Sequence, residues 1–231
     1  MRTRKANKAV DSATAAPSAP LRQYSELAVS EVAKELRRRS PSQRQGVVRL
    51  AQEALQDPRR IRDEDFRIGA VKVLVASVPA SLEIIFRLLK DFSKPSSYEV
   101  HFTIFCFLDD LLYPSRHLKA SKQTLERILS VLEVYLREVP NDTAYAAWMA
   151  GHLLGDHWAK GRAVSVLVRV LTRSDNPVGR EAAIQGLDDA LRRLHPAKAR
   201  RVRSVMKEIL RHERNNSLKA SLRSALAGTM V

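Results

Sequence analysis

The sequence predicts an all-α protein, a right-handed α-solenoid of about five antiparallel helix pairs plus a terminal helix. Three observations carry that expectation. One pattern returns, imperfectly, about every 35 to 40 residues. Its clearest copy is Asp175-Asn-Pro-Val-Gly-Arg-Glu-Ala-Ala-Ile-Gln-Gly-Leu187: a polar break with a proline, then a small Ala-Ala pair inside an apolar stripe. A relative runs from Asn141-Asp142 through Ala146-Ala147-Trp148-Met149 to Leu153-Leu154-Gly155-Asp156. A weaker copy runs from Asn215-Asn216 through Leu218, Ala220, Leu222 and Ala225 to Gly228. Second, the breaks between apolar stretches are short and carry Pro, Asn, Asp or Ser, which sets neighbouring helices antiparallel. Third, strand signals are weak: no period-2 alternation bounded by turn dipeptides is found, and the chain has only 8 glycines.

The elements follow in order. Residues 1–22 read as a flexible basic tail: Arg2, Arg4, Lys5 and Lys8 face only Asp11, with Ser, Thr, Ala and two prolines after them. No apolar block makes a secretory signal there. The folded domain is expected over 23–231. Its first helix covers 25–39, with Leu27, Val32 and Leu36 inward. Ser40-Pro41-Ser42-Gln43 starts the second, with a Ser cap, Pro at the first position and Gln three after the cap. Helices follow at 63–77, 80–92, 97–112, 122–138, 142–154, 160–172, 178–193, 197–213 and 217–227. The longer break, Tyr113 to Ala120, reads as an insertion on one edge.

The copies at 141–156 and 175–191 resemble HEAT repeats, in the short bacterial-style form with Asn-Pro-x-Val and a following Ala-Ala. Gly179 stands where an Arg often follows the valine, and Arg180 comes next. Armadillo-like arrays are the alternative. The resemblance implies a stacked fold with no chemistry attached. It also implies that the second helix of each pair lines the concave side.

Charge is uneven. The formal net is +15, from 40 basic and 25 acidic residues. Arg192 to Val231 holds eleven basic residues against two acidic, whereas Asp63 to Leu112 holds five against eight. Arg162, Arg169 and Arg173 recur at seven and four, and Arg200, Arg203, Lys207 and Arg211 at three and four, so each set shares a helix face. These seven residues are the candidate anion- or partner-binding set. A solvated face is the bland reading of the same stripes.

Catalytic and metal readings find little. The densest polar-aromatic cluster is Asp156-His157-Trp158 with His152, Trp148 and Tyr145. HEAT-like DNA glycosylases place an acid beside aromatics in a basic groove, but their Trp-Trp-Asp type pattern does not align here, and Trp148 is expected in the core. Asp109-Asp110 and Asp188-Asp189 are adjacent and diverge on a helix. Cys106, between Phe105 and Phe107, reads as a buried thiol. No metal, cofactor or small-molecule substrate is indicated, nor a bilayer span.

The expected function is therefore a non-catalytic scaffold whose concave surface takes an acidic or amphipathic segment of a partner protein. The alternative is binding of a nucleic-acid backbone by the basic C-terminal half, with few exposed aromatics for base stacking. A glycosylase is a distant third. Cytoplasmic residence is the default expectation, and a nuclear or nucleoid place would go with phosphate binding.

Overall fold

The computed structural model of the chain describes residues 19–92, 97–112, 121–140, 144–157 and 162–228. Residues 1–18 of the expected tail, the break at 113–120, the Asn141-Asp142 opening and Trp158 lie outside them. The described residues form helices and no strand. In chain order these are α1 (Ala19–Arg22), α2 (Val29–Arg38), α3 (Pro41–Gln56), α4 (Pro58–Ile61), α5 (Glu64–Ala76), α6 (Leu82–Leu89), α7 (Ser97–Leu112), α8 (Lys122–Glu138), α9 (Ala144–His157), α10 (Arg162–Arg173), α11 (Pro177–Leu191), α12 (Pro196–His212) and α13 (Asn216–Ala227).

Polar caps set many of the starts. The Ser40 hydroxyl accepts from the Gln43 amide at 3.3 Å while the Gln43 side chain accepts from the Ser40 amide at 3.0 Å, closing the box that the sequence spells. Ser121, Asn176 and Asn215 do the same work for α8, α11 and α13. Each such cap contributes on the order of 1 kcal/mol. Gly228 ends α13 with φ at 70°, a left-handed position that glycine takes without steric cost.

Two departures from expectation lie at the N-terminal end. Residues 19–22, assigned to the tail, form α1, and Leu21 and Tyr24 are fully buried. The helix expected over 25–39 begins only at Val29. The reason is Lys72 on α5, whose ammonium donates to the Ser25 carbonyl at 2.6 Å and the Leu27 carbonyl at 2.8 Å. Those carbonyls are thereby held outside any helix ladder. Lys72 is almost buried, with its Nζ 5.0 Å from the centre of the Phe107 ring. Burial lowers its pKa, and two carbonyls and a ring face compensate the charge. A third, smaller departure is α4, a single turn capped by the Asp57 carboxylate.

The helices pack against one another in an ordered sequence. α5 packs on α7, α7 on α9, α9 on α11 and α11 on α13, while α8 packs on α10 and α10 on α12. α1, α2 and α3 all rest on α5. The buried apolar residues form one cluster from Leu21 to Ala225.

The tightest join is α9 on α11. A methyl group placed on Gly155 would overlap the Gly186 carbonyl, one on Gly151 the Ala182 carbonyl, and one on Gly186 the Gly151 carbonyl. The two backbones therefore touch, and α11 is buried on all sides from Ala182 to Leu191. Gly155→Val should lower stability by about 3 kcal/mol or abolish cooperative unfolding. By contrast, Gly46→Ala, inside α3 with open space around it, should raise stability by about 0.5–1 kcal/mol. Urea unfolding of the two variants checks the contrast.

Candidate functional site

The seven cations do not share one environment. Arg162 donates to Glu126 at 2.7 Å, and Arg169 grips Glu133 with a fork of two bonds at 2.9 and 2.6 Å. The stripe on α10 is thus turned toward α8, and two of its three guanidiniums bridge these helices. The Arg169 hydrogen bonds hold the Glu133 carboxyl below its ordinary pKa. Arg211 pairs with Glu208 on its own helix at 2.7 Å. Arg173, Arg200 and Lys207 are exposed and enter none of the ion pairs among the described residues. Arg203 is exposed too, and its charge reaches the Asp188 carboxyl at the end of α11.

Nor do the two stripes join. Glu208, Ile209 and His212 of α12 line a hollow with Leu171 and Thr172 of α10, which marks the side of α12 that faces α10. At 100° per residue, Arg200, Arg203 and Lys207 lie more than about 100° round the helix from that side. The seven residues thus divide between an ion-paired seam of α10 with α8 and a cationic face on α12.

A second feature was misplaced by sequence reasoning. Trp148, expected in the core, is half-buried, and Tyr145 is 63% exposed. Tyr145, Trp148 and His152, at spacings of three and four on α9, stack with ring centres 5.8 and 5.5 Å apart and planes within 5°. Phe102 of α7 extends the stack, 4.7 Å from Tyr145, and the exposed Tyr98 lies one turn earlier. Beside Tyr145 and Trp148 a hollow of about 510 Å³ opens toward α11, lined by Val178, Glu181, Ala182 and Gln185. The local cause is legible in retrospect. Gly151 and Gly155 press α9 onto α11, and the rings of Tyr145, Trp148 and His152 run along the edge of that join.

Carboxylates at the far end of this strip are paired. His152 Nδ1 donates to Asp189 at 2.9 Å, Arg192 pairs with Asp188 at 2.6 Å, and Arg193 pairs with Asp156. The adjacent Asp188 and Asp189 thus serve different partners. The hydrogen bond to Asp189 raises the His152 pKa, against its partial burial, and Asp189, Asp156 and Asp109 add charge attraction.

His101 is the opposite case. Fully buried, its Nε2–H donates to the Leu88 carbonyl at 2.7 Å, so Nδ1 accepts from the Tyr135 hydroxyl at 3.2 Å. Burial lowers its pKa to about 4 and raises that of the Tyr135 hydroxyl. Cys106 is half-buried, and burial raises its thiol pKa. Among the described residues no group of three His, Cys, Asp or Glu side chains is placed to hold a metal ion, and no helix is long and apolar enough to cross a membrane. No known family, curated protein or solved structure matches this chain.

The two histidines should give opposite pH signatures. Below its ordinary 6.5 the unfolded His101 takes a proton that the folded one refuses until about pH 4, so stability falls as pH drops through that window. Urea midpoints measured from pH 7 to 4 should decline, and less so in His101→Gln. His152, raised when folded, adds stability that is complete below the ordinary histidine range and lost as pH climbs through its folded value. An NMR titration of its ring should give a midpoint above 6.5, moved downward by Asp189→Asn.

Proposed function

We propose that this chain is a non-catalytic binding protein, a short HEAT-like solenoid that holds an acidic or amphipathic segment of a partner protein. The observation that carries the reading is the strip of rings at Tyr98, Phe102, Tyr145 and Trp148 beside a hollow, in which Tyr98 and Tyr145 are exposed and Phe102 and Trp148 are half-buried. Large aromatics left outside a core cost hydrophobic free energy, and tyrosine and tryptophan dominate the binding energy of protein interfaces. The open cations of α12 add the charge that attracts acidic side chains and speeds encounter.

The solenoid part of the reading has its own support. Polar contacts between helices join residues about one repeat apart: Glu126 to Arg162 and Glu133 to Arg169 at 36, His152 to Asp189 and Arg193 to the Asp156 carbonyl at 37. All four join the α8–α9 pair to the α10–α11 pair, the kind of neighbour-to-neighbour contact by which stacked repeats are held. The α9–α11 row is in backbone contact, while α8 and α10 are bridged by long side chains.

Affinity capture with mass spectrometry, with nuclease present, tests the reading. Wild type should retain a protein that is lost with Tyr145→Ala/Trp148→Ala, two anchors worth about 2 kcal/mol or more each. The same protein should be weakened by Arg200→Glu/Arg203→Glu. Retention indifferent to both variants defeats the proposal. Capture that vanishes with nuclease, together with duplex binding whose salt slope falls in Arg200→Ala/Arg203→Ala, assigns the α12 face to nucleic acid.

A further inference from the structure

At the other end of the molecule, a groove of about 850 Å³ runs between α2–α3 and the turn from α5 to α6. Its floor is apolar, built from Leu36, Val48, Val78, Pro79 and Ile84 among others, and its polar lining is one-sided in charge. Arg37 and Arg44 stand on its rim, and no carboxylate lines it. Both arginines are exposed and enter no ion pair among the described residues. Their surroundings do not neutralise them. The stretch 29–56 holds six basic residues against three acidic, and the ion pairs of Arg38 with Glu35 and Arg49 with Glu53 are long, at 3.7 and 3.8 Å.

We propose that this groove is a docking site for an amphipathic helix of a partner protein whose flanks are acidic. An apolar trough of this size matches the range of about 300–1,000 Å³ in which bound side chains or ligands are held. The rim selects the sign of the occupant: guanidiniums on the lip meet carboxylates, and a basic segment is repelled. The walls select its form. They are helices and a turn, with no free strand edge among the described residues to pair with an extended backbone. A helix satisfies its own backbone and needs only side-chain anchors at i, i+3, i+4 and i+7. The site is separate from α12 and from the aromatic strip, so it goes beyond the function proposed above and can fail without it.

The probe is a fluorescein-labelled 16-residue peptide, with leucines at those four anchor positions repeated along one face and glutamates flanking them. It is titrated with the full chain and read by anisotropy. Saturable binding is expected, weakened about tenfold or more by Arg37→Glu/Arg44→Glu, two exposed positions that leave the core alone. A lysine-flanked version of the peptide should gain affinity for that same charge-reversed chain. Ala80→Trp, which fills the groove from its exposed lip, should block both peptides. Absence of saturable binding to wild type overturns the proposal. So does binding insensitive to the Arg37/Arg44 reversal and to Ala80→Trp, or binding lost instead in Arg200→Glu/Arg203→Glu. Concentration-dependent dimers that Ala80→Trp abolishes would make a second copy the occupant and equally overturn it.

Discussion

The contact on which the rest depends is the meeting of two bare backbones. At Gly151, Gly155 and Gly186 the absence of side chains lets α9 and α11 lie closer than any Cβ would allow. That proximity removes α11 from solvent entirely along its second half. It also bears on the rings of α9. Trp148 lies a heptad before Gly155, about 20° round the helix from it, so its ring flanks the α9–α11 join and lines the hollow with Ala182 and Gln185, with the exposed Tyr145 beside it. Gly179 serves a related purpose, since a methyl there would overlap the Leu136 carbonyl of α8.

Where backbones do not touch, long charged side chains span the distance. Arg162 and Arg169 reach to α8, Arg67 on α5 reaches Glu99 on α7 at 3.0 Å, and Arg180 on α11 reaches Glu213 beyond α12. In two of these pairs the carboxylate has little exposure, Glu213 at 7% and Glu133 at 16% of the side chain, which holds Arg180 and Arg169 in place. Each such pair takes one cation and one carboxylate, so the net charge of +15 remains for other molecules; it includes Arg37 and Arg44 on the rim of the N-terminal groove and Arg200, Arg203 and Lys207 on α12.

Much of the fold was legible because its signals are local. The ends of α7 and α8 fall on the expected residues, and the Ser40 box and the Asn176 cap are written in a few consecutive letters. What escaped was long-range. Nothing near residues 25–28 announces that a lysine more than forty positions later will take their carbonyls. The α10 arginines looked available because Glu126 and Glu133 lie 36 residues before them. Trp148 looked buried because aromatic spacing on a helix identifies a face without saying which way that face points. His101 carries no local signal, since its bonds to Leu88 and Tyr135 come from two other elements.

The modest sequence distance between contacting helices, from 32 residues for Arg67 and Glu99 to 47 for Ser25 and Lys72, has a bearing on how the chain orders itself. Partners about 36 residues away close modest loops, and no strand or helix waits on a distant terminus to complete it. Assembly at the glycine-lined join buries α11 from Ala182 to Leu191 against a helix close to it in sequence, a natural nucleus. Growth from there can spread unit by unit in both directions. Damage at either extremity would then fray that extremity while the centre holds.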